Sequence, residues 1–190
     1  RERRYLSYAR IAELFQEAMT RLLPDGDLYA IDLRLRPEGR GGELVPSLDA
    51  CRRYYAERAQ TWERQAMLKA RFLAGDACVA AEFVGIIRPF AYPESPAPGL
   101  ADEVRAMKRR IENERAGAAT RGRDMKLGPG GLSDIEFLVQ LLQLLDGNAR
   151  PALRQASTLA ALAALEGEGL IPGDEAQVLR EGYRLQTRLR

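Results

Sequence analysis

The chain has 190 residues, 46% of them hydrophobic and 29% charged, the composition of an ordinary globular protein with enough apolar material for a sizeable core. Twenty-nine Lys and Arg against 27 Asp and Glu leave a formal charge of +2, which gives no support to a general nucleic-acid or membrane-surface role. Histidine is absent, so Ser-His-Asp and Cys-His nucleophiles, imidazole zinc sites and the commonest general base are all excluded. Any chemistry runs on carboxylates, Lys, Arg or hydroxyls. Cys51 and Cys78 lack Cys-x-x-Cys spacing, which disfavours a disulfide framework or a thiolate metal site and favours the cytoplasm. No apolar run approaches the ~20 residues that span a bilayer, and no signal-type segment follows the charged opening Arg1-Glu2-Arg3-Arg4.

Ile11, Leu14, Phe15, Ala18 and Leu22 recur at helical spacing and stop at the turn Pro24-Asp25-Gly26-Asp27. From Leu28 to Arg36 the period changes to two: Tyr29, Ile31, Leu33 and Leu35 share one face, Asp32, Arg34 and Arg36 the other. This predicts the one strand of the chain. A mobile loop, Pro37 to Gly42, follows. Ser47 is placed to cap a helix to about Ala59, and Thr61 to cap another from Trp62 to about Phe72. Gly75-Asp76 precedes a further helix that stops before Pro89. Four of the ten residues from Pro89 to Pro98 are proline, an extended linker and a domain boundary.

Beyond it, Leu100, Val104, Met107 and Ile111 form an amphipathic stripe. A loop from about Gly117 to Leu132 holds five glycines with Arg121, Arg123 and Lys126. Helices are predicted over Asp134 to about Leu145, Thr158 to about Glu166, and from Asp174 onward. Neither end carries a cap or stop signal, so the chain is expected to lie within a longer protein, and a lone strand needs partners from elsewhere. The expected class is mainly α: residues 1–88 the C-terminal part of an α/β domain, 89–99 a proline-rich linker, 100–190 an all-helical domain.

Three places are candidates for chemistry. Asp32, Arg34 and Arg36 in a row offer a carboxylate for a hard cation and guanidinium forks for phosphate oxygens; equally, they are a solvated strand face whose charges pair with one another. Lys126-Leu127-Gly128-Pro129-Gly130-Gly131 opens a helix, as phosphate-binding loops do, but it is neither a Walker A loop nor a dinucleotide fingerprint. The competing reading there is a capping box of Ser133 and Glu136, whose carboxylate repels anions. Trp62, Gln65, Ala66 and Lys69 share a helical face. Trp62 reads as a core anchor, Tyr54 and Tyr55 as packing residues, and Lys69 and Arg71 stay open.

The ordered series Tyr29-Ala30-Ile31-Asp32-Leu33-Arg34-Leu35-Arg36-Pro37-Glu38-Gly39-Arg40, Tyr54-Tyr55, Ala59-Gln60-Thr61-Trp62-Glu63-Arg64-Gln65-Ala66, Lys69-Ala70-Arg71, Ala74-Gly75-Asp76 and Lys126 to Phe137 resembles glutamine synthetase adenylyltransferase over nearly the whole chain. The Gly-Gly-x-x-Asp-Ile-Glu element is similar also to the uridylyltransferase that modifies the PII signalling protein. The resemblance implies a nucleotidyltransferase fold of the kind shared with DNA polymerase beta, with a Gly-Ser element, an Asp-x-Asp pair and a third acidic residue on a later strand. Asp32 matches that third carboxylate, which implies a catalytic role and Mg²⁺ binding. The Gly-Ser and Asp-x-Asp elements are absent. Such enzymes carry two related units, one adenylylating glutamine synthetase and one removing AMP by phosphorolysis, and Ser133-Asp134-Ile135-Glu136 looks more like the adenylylating unit.

The implied reaction is transfer of AMP from ATP to a tyrosine of glutamine synthetase, with Mg²⁺ as cofactor. Arg34, Arg36, Lys69, Arg71 and Lys126 are then candidate phosphate or scaffold contacts, and glutamine synthetase and PII the expected partners. A noncatalytic scaffold that docks those partners, and a PII uridylyltransferase-like enzyme, are the alternatives. The chain by itself is expected to be inactive.

Overall fold

The computed structural model describes residues 2–21, 31–115 and 124–189. The protein is mainly α, and no strand occurs among the described residues. The helices are α1 (Glu2–Thr20), α2 (Leu48–Glu57), α3 (Thr61–Met67), α4 (Ala77–Ala91), α5 (Leu100–Arg115), α6 (Leu132–Asp146), α7 (Thr158–Gly167) and α8 (Gly173–Leu189). They fall into two compact units, Arg1–Ala59 and Gln60–Arg190.

In the first unit α2 starts where a hydroxyl is available: Ser47 accepts the Ala50 amide at 3.2 Å. Its buried side chains are Cys51, Tyr54 and Tyr55, the two rings meeting edge to face at 5.4 Å. The stripe on α1 is helical as its spacing demands, yet Ile11, Leu14 and Phe15 are exposed. The turn Pro24 to Asp27 and the strand residues Leu28 to Ala30 lie outside the described residues.

The rest of the expected strand, Ile31 to Arg36, is a run of turns. The reason is local competition for the backbone. Asp32 Oδ1 takes the Arg34 amide at 3.0 Å, and the Arg36 guanidinium takes the carbonyls of Leu33, Gly42 and Glu43, so side chains do what a ladder partner does in a sheet. The loop that follows is also built rather than mobile. Glu38 and Gly39 both adopt left-handed conformations into a 3₁₀ turn, Gly39–Gly41, and Glu38 pairs with Arg58 at 2.5 Å.

The second unit has two apolar clusters that share α6. Ile135 and Val139 pack with Leu153, Ala161, Leu162, Leu165, Ile171 and Ala176, while Leu144, farther along α6, packs with Leu68, Ala91, Tyr92, Leu100 and Val104. Asp76 caps α4 by accepting the Cys78 and Val79 amides, and Ser157 caps α7. At α3 the cap is Gln60, not Thr61: Gln60 and Glu63 form a capping box, and the helix ends at Met67 rather than near Phe72. Thr61 donates its hydroxyl to Glu103 on α5 at 2.5 Å.

Three further expectations are corrected. Helix α4 runs through Pro89 to Ala91, because a proline in the last turn removes only one intrahelical amide, and Phe90 and Ala91 are buried there. Trp62 is 40% exposed and is no core anchor. Ser133 and Glu136 form no capping box: the N-cap of α6 is Gly131, the Ser133 hydroxyl is buried without a partner among the described residues, and Glu136 accepts from the Tyr183 hydroxyl at 3.2 Å.

Gly147, just after α6, separates helical propensity from packing. Its φ of −66° is ordinary for any residue, so propensity alone favours alanine there. A Cβ, however, meets the Gln143 carbonyl oxygen and the Tyr92 ring, each at 2.4 Å. Gly147→Ala is therefore expected to destabilise the chain by about 1–3 kcal/mol, the usual cost of overpacking. Urea unfolding measures this, and a midpoint that rises overturns the packing of Tyr92 on Gly147.

Candidate functional site

The first unit carries an open cleft of about 550 Å³ whose lining includes Gln16, Asp32, Arg34, Arg36, Arg40 and Leu44. Asp32 sits in it as one carboxylate among three guanidiniums. Arg34 grips both of its oxygens, Nε at 2.8 Å from each and Nη2 at 2.5 Å from Oδ2. These hydrogen bonds, helped by the charges of Arg34 and Arg40, hold the Asp32 carboxyl down at about 2, while the carboxylate raises the Arg34 guanidinium. Arg36 is spent differently. Its donors close the turn by binding three backbone carbonyls, so it fixes the shape of the loop that presents Asp32 and Arg34.

Chemically, the cleft carries more positive than negative charge, and forks of this kind suit the oxygens of a phosphate chain. It does not fit Mg²⁺ as it stands. Both Asp32 oxygens are engaged by Arg34, and no group of three metal-ligating side chains occurs among the described residues.

The remaining sequence candidates lie in the second unit. Lys69 is half-buried and donates to Thr158 Oγ1 at the start of α7 at 2.6 Å; burial pushes its amine below the ordinary value, and Glu136 pulls the other way. Beside it Gln65, itself buried, donates to Gln140 on α6 at 2.9 Å. Arg71 is exposed after α3, and Lys126 is exposed in the glycine-rich loop.

That loop is organised around the start of α6, whose first amides are already taken. Leu132 and Ser133 donate to the carbonyls of Met125 and Lys126, and the Asp134 carboxylate reaches back to the Gly130 amide at 2.6 Å. Asp134 also pairs with Lys108 on α5. A Cβ at Gly131 would meet the carbonyl oxygens of Gly128, Met125 and Lys126 at 2.8–3.0 Å, so glycine is demanded by the loop's own backbone. Sequence reasoning missed Lys108 and Asp124. The signal for the latter is an Asx turn, with Asp124 Oδ1 accepting the amides of Lys126 and Leu127.

Residues 4–86 match the family model described as glutamate-ammonia ligase adenylyltransferase, and residues 100–190 match that described as GlnD PII-uridylyltransferase. Similar curated proteins carry the name bifunctional glutamine synthetase adenylyltransferase/adenylyl-removing enzyme. That of Cutibacterium acnes is 44% identical over 161 residues, covering 85% of this chain and 16% of the relative. That of Leifsonia xyli subsp. xyli is 44% identical over 174 residues (90% and 17%), and that of Hahella chejuensis 39% over 178 residues (93% and 18%). The chain thus spans less than a fifth of the length of these relatives.

The Asp32–Arg34 pair generates a pH signature. A carboxyl whose folded value falls from 3.8 to about 2 adds stability above its unfolded value, and that stability is lost as pH falls through the folded one. Arg34→Gln is expected to return the Asp32 midpoint to the ordinary carboxylate range of ~3.9 and to abolish this contribution between about pH 4 and pH 2. Carbon-13 NMR titration of the Asp32 carboxyl reads the midpoint; an unchanged value in the variant overturns the pairing.

Proposed function

We propose, since the chain belongs to the glutamine synthetase adenylyltransferase family, that it is the part of such an enzyme that presents the Asp32 carboxylate to the transferred nucleotide. The reaction proposed for the full-length protein is transfer of AMP from ATP to a tyrosine of glutamine synthetase, or its removal by phosphorolysis. The observation that carries this reading is the cleft in which one carboxylate, kept ionised, stands among Arg34, Arg36 and Arg40. Attack on a phosphorus builds charge on its oxygens, and guanidiniums already in place stabilise that charge without reorganisation. The relatives' name pairs adenylyl transfer with adenylyl removal. Both directions handle the same charged phosphorus centre, so one cleft suits either.

Within that scheme Asp32 is the catalytic carboxylate, Arg34 the donor that orients it and Arg36 the residue that shapes the turn. Mg²⁺ is proposed as the cofactor of the full-length protein, held by carboxylates from outside this chain, which Asp32 would join only on release from Arg34. Arg71 and Lys126, both exposed, are proposed phosphate contacts; the bond from Lys69 to Thr158 supports a scaffold role for Lys69. Glutamine synthetase and PII are the proposed partners, the second supported by the match of 100–190 to a PII-uridylyltransferase family. The two matches leave 87–99 between them, which supports a modular division into 1–88, a linker over 89–99, and 100–190. An ATP-dependent regulator of glutamine synthetase belongs in the cytoplasm, and no described helix is long and apolar enough to cross a membrane.

In the full-length enzyme Asp32→Asn is expected to fold, its melting temperature lowered only by the loss of the exposed pair with Arg34, and to lower AMP transfer by roughly 10²-fold or more, the scale of a lost electrostatic contact in a reaction centre. Incorporation of labelled AMP into glutamine synthetase measures it. Normal turnover in the variant removes Asp32 from the site. The 190-residue chain assayed alone is expected to transfer no AMP, and transfer by the purified chain overturns its standing as part of a larger site.

A further inference from the structure

The second unit contains another cleft, separate in sequence from Asp32 and unused by the reaction above. It lies between α3 and α5, measures about 550 Å³, and is lined by Gln60, Trp62, Glu103, Met107, Arg110 and Ile111 among others. That volume is within the ~300–1,000 Å³ of small-molecule sites.

Three features give the cleft a chemical character. Its floor is apolar and soft, with a Met107 thioether and Ile111 beside an indole that is 40% exposed. The polar atom of that indole is already satisfied, because Trp62 Nε1 donates to Gln60 Oε1 at 3.2 Å, so what Trp62 offers a partner is its π surface. Glu103, at one end of the α5 lining, is tied to α3 by the Thr61 hydroxyl. Arg110, seven residues along α5 and so roughly 10 Å away, is exposed and forms no ion pair among the described residues. Of the nearby cations on the helix, Arg105 pairs with Asp102 and Lys108 with Glu112 and Asp134, while Arg109, which also forms no ion pair among the described residues, does not line the cleft.

We propose that this cleft is a second ligand site, which takes a planar heteroaromatic ring carrying a phosphate, with the ring stacked on Trp62 and the phosphate on Arg110. Stacking on an aromatic face tolerates any base, because every base has a π face. The guanidinium supplies a charge-assisted contact to the anion. The Glu103 carboxylate, an apolar middle and a cation roughly 10 Å along the helix match the reach of a nucleotide from base edge to phosphate. A purely apolar peptide fits poorly, since the three apolar side chains Trp62, Met107 and Ile111 stand between an acid and a base. The inference stands apart from adenylyl transfer and requires nothing of Asp32.

Trp62 is the one tryptophan of the 190-residue chain, so the chain's own indole emission reports the cleft. With excitation at the red edge of the indole band, and with EDTA present to silence any magnesium-dependent nucleotide site, AMP and UMP are expected to quench emission saturably. Adenosine and ribose 5-phosphate, each lacking one half of the ligand, are expected to bind about tenfold more weakly or worse, the equivalent of one lost contact of ~1.4 kcal/mol. Arg110→Gln is expected to weaken AMP by about tenfold while leaving adenosine unchanged, and Arg110→Lys to restore part of the loss. Isothermal calorimetry on Trp62→Leu, where no reporter remains, is expected to show AMP binding lost. The proposal is overturned if AMP quenches no better than ribose 5-phosphate, if quenching does not saturate, or if Arg110→Gln binds AMP as the parent chain does.

Discussion

Everything in the second unit depends on how α6 is held. It is the one helix that contributes to both apolar clusters, Ile135 and Val139 to one and Leu144 to the other. Its N-terminus therefore cannot be left to fray. The loop before it supplies the Met125 and Lys126 carbonyls to the first free amides, Asp134 reaches back to Gly130, and Lys108 draws Asp134 toward α5. Near its other end the buried Gln143 amide donates to the Leu153 and Gln155 carbonyls at 2.6 and 2.8 Å, so the turn that leads to α7 hangs from the same helix. Buried amides of this kind are costly unless fully bonded, and once bonded they fix one arrangement of the backbone around them.

The glycine-rich loop looks like a phosphate cradle in sequence because its composition is that of one. What distinguishes a cradle from a brace is where the amides point, and here the amides of Leu132 and Ser133 are consumed by the loop's own carbonyls. Gly131 is required for the brace itself, since three carbonyl oxygens close around its α-carbon. The contrast with the first unit is chemical. There the carboxylate and guanidiniums are exposed, and Asp32 stays ionised through a surface pair that solvent reaches. Lys108 is partly buried; burial works against its charge, yet Asp134 and Glu112 raise its amine above the ordinary value, which makes it a structural cation between α5 and α6.

Much of the helical architecture was legible in sequence because its signals are local. Ser47 caps the helix its place announces, and the stripe on α5 buries Leu100 and Val104. The misreadings share one cause, which is that the deciding partner is distant or is a backbone atom. The period of two from Leu28 to Arg36 is a real pattern of side chains, but the Arg34 amide and the Leu33 carbonyl are taken by the side chains of Asp32 and Arg36. Trp62 shares a face with buried Gln65, yet the groove beside α5 leaves its ring open. In the site, Asp32 and Arg34 were legible as a pair by their i, i+2 spacing; that Arg36 shapes the turn was not, because its acceptors lie up to seven residues away.

The short helix α3 shows how a boundary in sequence families and a boundary in packing need not coincide. It falls within the 4–86 match, yet it belongs to the compact unit Gln60–Arg190. From the helix Thr61 bonds to Glu103 on α5 and Gln65 to Gln140 on α6, and just past it Lys69 bonds to Thr158 at the start of α7. Each is a directional polar contact, which specifies register where apolar packing alone tolerates sliding. A segment that falls within one family match yet packs wholly inside the unit Gln60–Arg190 owes its place to those bonds and not to the sequence boundary. Its hydroxyl and amide side chains are spent on partners within that unit, and just past the helix the Lys69 amine, which by residue type suits a phosphate, is bonded to the Thr158 hydroxyl.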